Sequence, residues 1–240
     1  MVLAARNTQK GEAAADKLRG EGLDAQFFKL EVTNAYDQAS AAAFLEQKFG
    51  RLDILINNAG ISAEPPTGSA STTSKDVLHR TFETNFFAPV ELTQALLPLL
   101  KKSGAGRIVN ISSILGSQTL HADPKSPIYN FKALSYDASK AALNSFTIHL
   151  AYELRDTKIK VNSAHPWLGQ NGYGYRRRAD GDSGRREDGR GTRAAWRRRA
   201  DRRFLSSGPD AALVNRYCAR AKLRIPPSPA RTTYCVPPTI

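Results

Sequence analysis

The sequence predicts an α/β fold with a doubly wound parallel sheet. Short apolar segments alternate with helical segments throughout residues 1–166. The apolar segments are continuous instead of alternating with polar residues, which is typical of parallel strands covered on both faces. Strands and helices follow each other at the spacing of βαβ units, so helices are expected on both sides of the sheet.

Each element has its own local signal. The predicted strands are residues 2–6, 25–30, 52–56, 107–111 and 159–162, and the predicted helices are residues 8–20, 34–49, 75–100 and 136–155. The first helix ends at Gly20, and the second begins at the capping residue Asn34 and stops at Gly50. Pro89 and Pro98 are expected to kink or break the third helix. Residues 63–74 and 116–135 are predicted to be loops.

Charge divides the chain into two unlike parts. The 240 residues carry a formal net charge of +13. Residues 1–166 have 18 lysines and arginines against 16 acidic residues, whereas residues 167–240 have 17 against 6. Residues 1–166 are therefore predicted to form one partial domain. Residues 167–240 form an Arg-, Gly- and Pro-rich tail, which is expected to be disordered because it has few aliphatic residues and many charges.

The sequence lacks the patterns of a membrane span, a signal peptide and a metal site. No apolar run approaches the roughly 20 residues that a membrane span needs. The first residues form too short an apolar run for a signal peptide, so a cytoplasmic protein with no membrane partner is expected. The two cysteines, Cys218 and Cys235, have no neighbours at metal-ligand spacing, so no metal site is predicted.

One group of residues has the chemical groups and the spacing expected of a proton-transfer site. The strand at residues 107–111 ends on Ser112 and Ser113, and the helix that follows carries Tyr136 and Lys140. A spacing of four places the phenol and the ammonium on one helix face. An ammonium beside a phenol favours phenolate, and it is expected to lower a pKa that is ordinarily about 10. With a serine hydroxyl to hold a carbonyl, this set predicts acid–base catalysis at a carbonyl or alcohol.

Four motifs in order resemble the short-chain dehydrogenase/reductase family, and within it the carbonyl-reductase-like members. They are 57–60 (Asn-Asn-Ala-Gly) after a strand, Thr84-Asn85 in a helix, Ser113 after a strand, and the Tyr136-x-x-x-Lys140 pair. The resemblance covers about residues 1–166. It implies a Rossmann-like fold and an oxidoreductase that interconverts a carbonyl and an alcohol with a nicotinamide cofactor.

The resemblance also implies catalytic roles for four residues. Tyr136 would be the acid–base, and Lys140 would lower its pKa and hold the nicotinamide ribose. Ser113 would bind the substrate carbonyl, a choice over Ser112 that rests on family position alone. Asn85 would fix a water in a proton relay, although in isolation such a residue is more often a polar group on a helix surface.

Further residues are implied at the cofactor. Asn58, Ala59 and Gly60 would line it, and Glu31 and Val32 would lie beside the adenine. Arg6 would meet the 2′-phosphate, which favours NADP(H) over NAD(H); the alternative is a solvated charge at a strand end. The implied partners are a small-molecule carbonyl or alcohol and, as is common in the family, a second copy of the chain in a homodimer or homotetramer.

One expected feature is absent from the start of the sequence. The family fold begins with a strand and a TGxxxGxG turn whose backbone N–H groups hold the cofactor's diphosphate. Here residues 2–6 look like the family's second strand. The sequence thus predicts an N-terminally truncated chain with an incomplete sheet, lacking its first strand and glycine-rich turn and exposing two strand edges. The alternative to an active enzyme is an inactive remnant that does not bind cofactor.

The tail departs from the family pattern just after Pro166. Suitable codons for residues 166–174, read with one cytosine removed, give Pro-Gly-Trp-Val-Lys-Thr-Asp-Met-Gly, which resembles the family's cofactor-side motif. The hypothesis is a frameshift, and sequencing the coding DNA tests it. The alternative is an evolved basic arm that binds nucleic acid non-specifically through its arginines.

Overall fold

The computed structural model describes residues 1–64 and 68–165 and the backbone of Thr233–Val236. The strands are β1 (Val2–Ala5), β2 (Gln26–Lys29), β3 (Ile54–Asn57), β4 (Arg107–Ile111), β5 (Lys160–Ala164) and β6 (Thr233–Val236). The helices are α1 (Thr8–Gly20), α2 (Ala35–Phe49), α3 (Lys75–Phe82), α4 (Ala88–Lys101), α5 (Gln118–Ala122) and α6 (Leu134–Glu153). All pairs in the sheet are parallel, in the order β2-β1-β6-β3-β4-β5.

Side chains at the helix ends fix the boundaries that the sequence predicted. The Asn34 side chain accepts hydrogen bonds from the N–H groups of Tyr36 and Asp37, which satisfies two of the unpaired donors at the start of α2. Gly50 ends this helix at φ +68°, a conformation that suits glycine. The roles predicted for Asn34 and Gly50 are therefore confirmed.

Helices cover both faces of the sheet, as predicted. Val2 and Ala4 belong to the main apolar core, which includes residues of α2, α4 and α6. Leu3 belongs to a separate cluster with Ala15 and Leu18 of α1. Successive residues of a strand point to opposite faces, so α1 lies on one face of the sheet and α2, α4 and α6 lie on the opposite face.

The centre of the sheet differs from the sequence-based prediction. The two strand edges that a missing first strand would expose, on β1 and β3, are both paired with β6. In this register Leu3 lies opposite Cys235, and Asn57 lies opposite Val236. A parallel strand from the distant tail was not predicted. The rest of the predicted tail, and the frameshift and nucleic-acid hypotheses attached to it, lie outside the described residues.

The predicted third helix is continuous but changes its winding. A π-helical segment, Glu83–Phe87, joins α3 to α4 without a break. Pro89 is the second residue of α4 and directly follows the π-helical segment. Pro98 lies inside the same helix. Neither proline breaks the helix. Its winding changes instead at the π-helical segment, a feature frequent at functional sites.

Two further results concern the described ranges. The predicted loop at residues 116–135 contains the short helix α5. Within residues 1–64 and 68–165, no helix is long and apolar enough to cross a membrane.

Candidate active site

The predicted site residues follow the carboxyl ends of four parallel strands. Arg6 follows β1, and Glu31 and Val32 follow β2. Residues 58–60 follow β3, and Ser113 follows β4. The strands are parallel, so these segments lie along one edge of the sheet, where open α/β folds bind their ligands.

Lys140 is buried at the centre of this edge. It is 4% exposed, and its Nζ donates a hydrogen bond of 2.8 Å to the carbonyl oxygen of Ile111, the last residue of β4. The same Nζ lies 5.6 Å from the centroid of the Tyr136 ring, within the range of a cation–π contact. Burial lowers the pKa of Lys140 to about 8 because it disfavours the charged form.

Asn85 connects the loop after β3 to helix α6. It is fully buried in the π-helical segment. Its Oδ1 accepts a hydrogen bond from the N–H of Ile61 at 2.8 Å, and its Nδ2 donates to the carbonyl of Ile61 and to Ser139 Oγ, both at 2.9 Å. Asn85 is thus a buried tether and not the polar residue of a helix surface that the alternative interpretation described.

Gly60 packs against Asn85 and Lys140. A Cβ at Gly60 would lie 3.4 Å from both Asn85 Oδ1 and Lys140 Nζ. The loop after β3, the π-helical segment and α6 therefore meet at one point.

Ser113, and not Ser112, faces the tyrosine. The Ser113 hydroxyl lies beside the Tyr136 phenol, close enough to favour a lower pKa for the phenol. Ser112 is 5% exposed, and its hydroxyl points instead to the carbonyl of Lys140 at 3.5 Å. The sequence left the choice between the two serines to family position, whereas the geometry separates them.

The pKa of Tyr136 moves in the direction opposite to the one predicted. Burial is the largest effect and raises it, the nearby Ser113 hydroxyl opposes the rise, and the charge of Asp137 adds to it. The expected lowering by Lys140 is thus not found in the net shift. The physical reason is that desolvation penalises the phenolate of a tyrosine that is largely enclosed by protein.

A close contact holds the turn after β4 against α6. A Cβ at Gly116 would lie 2.9 Å from the Lys140 carbonyl carbon and 2.8 Å from Asn144 Nδ2. The backbone carbon leaves no room for a side chain, so glycine is required for the turn to approach α6 this closely. This approach keeps Ser113, at the start of the same turn, beside Tyr136.

The predicted adenine end of the site is more open. Arg6 Nη1 lies 3.8 Å from Glu31 Oε2, and the two side chains are 55% and 37% exposed. Asp37 Oδ2 accepts the N–H of Glu31 at 2.7 Å, and the buried Gln38 donates to the carbonyl of Val32 at 2.7 Å. Helix α2 thereby fixes the backbone of both predicted adenine contacts.

The described residues fit one half of a nicotinamide dinucleotide. Asn58 Nδ2 is buried with no hydrogen-bond partner among the described residues, and Lys140 Nζ donates to the Ile111 carbonyl although an ammonium has three donors. These donors suit ribose or carboxamide oxygens. At the diphosphate position the fit is poorer, because the described residues contain no TGxxxGxG turn whose backbone N–H groups could hold the diphosphate.

Sequence reasoning missed four polar residues around the site. Glu64 Oε1 accepts the N–H of Ser135 at 2.7 Å, and Asp137 Oδ2 accepts the N–H of Ala133 at 3.0 Å. His121 Nε2 lies 3.3 Å from Asp137 Oδ2, and the Nδ1 of His165 accepts the N–H of Ile114 at 3.1 Å. The contacts of Glu64, His121 and His165 join separate segments that no sequence spacing relates, whereas the Asp137 contact lies within the first turn of α6. In the described part of the chain, no group of three His, Cys, Asp or Glu side chains could hold a metal ion.

Comparison with known proteins decides the family. The sequence profile of the family described as short chain dehydrogenase matches residues 1–169. The chain belongs to the short-chain dehydrogenase family. This confirms the resemblance drawn from the four motifs.

The names of individual relatives refer to carbonyl and alcohol chemistry. The chain is 30% identical to human "Carbonyl reductase [NADPH] 1" over 169 residues, which is 70% of this chain and 57% of that protein. It is 35% identical to "Cyclopentanol dehydrogenase" from Comamonas sp. over 166 residues, which is 69% of this chain and 61% of that protein. The NADPH-bound carbonyl reductase from chicken fatty liver is 30% identical, with a TM-score of 0.60 over 69% of this chain and 67% of that one. The chain thus spans less than two thirds of the length of the first two relatives.

Burial of Lys140 predicts a pH-dependent stability. Its pKa is about 8 in the fold against 10.5 ordinarily, so between these values the unfolded chain binds more protons and stability rises with pH. In Lys140→Met the group is absent. We expect the stability of wild type relative to this variant to increase by on the order of 3 kcal/mol from pH 7 to pH 10.5, measured by denaturant unfolding. A difference that does not change with pH would contradict the burial of a charged Lys140.

Proposed function

We propose that this protein is an NADP(H)-dependent oxidoreductase that interconverts a small-molecule carbonyl and an alcohol, with Tyr136 as the acid–base. The observation that supports it best is the contact of the Tyr136 phenol with the Ser113 hydroxyl above the buried ammonium of Lys140. Three groups that bind oxygen or move protons meet at the edge of the sheet where this fold binds ligands.

In the proposed reaction the protein handles the proton. A bound nicotinamide cofactor supplies or accepts hydride. Burial raises the pKa of Tyr136, so the phenol carries its proton at neutral pH and donates it to the carbonyl oxygen in the direction of reduction. Ser113 donates a hydrogen bond to the same oxygen and orients it. The charge of Lys140 stabilises the phenolate that remains after proton transfer.

Asn85 supports this arrangement from behind. Its side chain holds Ile61 and Ser139 together, which fixes the loop after β3 relative to α6. Its predicted role in fixing a water for a proton relay remains part of the proposal. Asn58, Ala59 and Gly60 are the proposed contacts of the cofactor along that loop.

The preference for NADP(H) rests on Arg6 and on the relatives. Two of the proteins named above are described as binding or using NADPH. Arg6 is half-exposed at the end of β1, and among the described residues its acidic partner is Glu31 at 3.8 Å. An exposed pair of this kind is weak, so a doubly charged phosphate competes well for the guanidinium.

A non-catalytic remnant is the second candidate. It is favoured by the lack of a TGxxxGxG turn, the family's diphosphate cradle, among the described residues. The two candidates differ in one measurable property. Saturable NADPH binding supports the enzyme, and no binding at millimolar NADPH supports the remnant.

Replacement of Tyr136 tests the proposed chemistry. In Tyr136→Phe we expect kcat for carbonyl reduction to fall by roughly 100-fold or more, because the proton donor is lost, while NADPH affinity measured by fluorescence titration is retained. Ser113→Ala should also reduce kcat, whereas Ser112→Ala serves as the matched control because its hydroxyl points away from the phenol. Equal effects of the two serine variants would contradict the assignment of Ser113.

Replacement of Arg6 tests the cofactor preference. In Arg6→Ala the Kd for NADPH should rise by roughly tenfold, which corresponds to the loss of one charge-assisted contact, while the Kd for NADH should change little. Glu31→Gln should shift the preference in the opposite direction, since it removes the carboxylate that competes for the guanidinium. The proposal fails on this point if Arg6→Ala weakens both cofactors equally.

A further inference from the structure

Helix α6 begins without a capping side chain of its own. Its N-cap residue is Ala133, whose side chain has no group that accepts a hydrogen bond. The first N–H groups of a helix have no partner within the helix, so an uncapped end inside a protein is costly. Tyr136 stands in this first turn, so whatever satisfies the turn also determines where the phenol lies.

A carboxylate from another segment completes the cap. Glu64 Oε1 accepts the N–H of Ser135 at 2.7 Å across 71 residues of sequence. Asp137 Oδ2 accepts the N–H of Ala133 at 3.0 Å from within the helix. Negative groups at a helix N-terminus are also favoured by the helix dipole. Of the two carboxylates, Glu64 is the one that joins α6 to a different part of the site.

The segment that carries Glu64 is the loop after β3. This loop contains residues 58–60, which contact Lys140 and Asn85 through Gly60, and it is held by Asn85 at Ile61. Glu64 therefore provides a second attachment between the loop and α6, next to the tyrosine. Both attachments, at Ile61 and at Glu64, directly follow the proposed cofactor contacts 58–60 in sequence.

We infer that Glu64 is a positioning residue, which anchors the first turn of α6 to the loop after β3 and so holds the Tyr136 phenol beside Ser113. The expected effect of Glu64 on turnover rests on the proposed function, whereas the anchoring of α6 by Glu64 does not. The required interaction is acceptance of one backbone hydrogen bond by Oε1 and does not require a charge. Glu64 Oε2 is buried without a hydrogen-bond partner among the described residues.

Two variants separate the hydrogen bond from the charge. In Glu64→Gln the side chain keeps an acceptor oxygen for the N–H of Ser135, whereas in Glu64→Ala it has none. The matched control is Glu46→Ala, which removes a carboxylate bonded to Lys102 at 2.6 Å on the surface of α2. In Glu64→Ala we expect kcat to fall by roughly 10- to 100-fold, because misplacement of a reacting group is costly, and in Glu64→Gln we expect most of it to be recovered.

A second measurement is independent of activity. Hydrogen exchange of the Ser135 amide, followed by NMR, should accelerate in Glu64→Ala and remain slow in Glu64→Gln and Glu46→Ala. The ring resonances of Tyr136, assigned by their absence in Tyr136→Phe, should shift in Glu64→Ala alone. Unchanged exchange and ring resonances in Glu64→Ala would overturn the inference, as would equal loss of kcat in the two Glu64 variants. If the wild-type chain turns over no carbonyl, the proposed function fails, while the NMR measurements still decide the role of Glu64.

Discussion

The burial of one ammonium group is the constraint on which the candidate site depends. Lys140 Nζ is enclosed by protein, bonded to the last carbonyl of β4 and close to Gly60 and the Tyr136 ring. A buried charge is costly unless polar groups surround it, so the segments that supply them must stay in place. The sheet, the loop after β3 and α6 are thus held in one arrangement by the need to accommodate Lys140.

Most of the fold could be predicted from local patterns. Five strands, the helix boundaries at Asn34 and Gly50, and the parallel sheet follow from apolar runs and capping residues. Strand β6 could not be predicted, because its place between β1 and β3 depends on pairing with segments far away in sequence. The π-helical segment Glu83–Phe87 was also missed, since the sequence pattern of residues 75–100 was interpreted as one regular helix.

The identities of the site residues were predicted better than their burial and pKa shifts. Tyr136 and Lys140 share a helix face by spacing alone, and family order added Asn85 and Ser113. Burial was not visible in the sequence, so the direction of the Tyr136 pKa shift was wrong. Glu64 was missed because its bond to Ser135 joins two segments that no spacing rule relates.

These groups are proposed to assist hydride transfer between a nicotinamide and a carbonyl carbon. The most direct test incubates the full chain with NADPH carrying deuterium at the transferable position and a panel of small aldehydes and ketones. The expected product is an alcohol with deuterium on the former carbonyl carbon, detected by mass spectrometry, and Tyr136→Phe should give no such product. Saturable NADPH binding without any deuterated alcohol, or no binding at all, would contradict it.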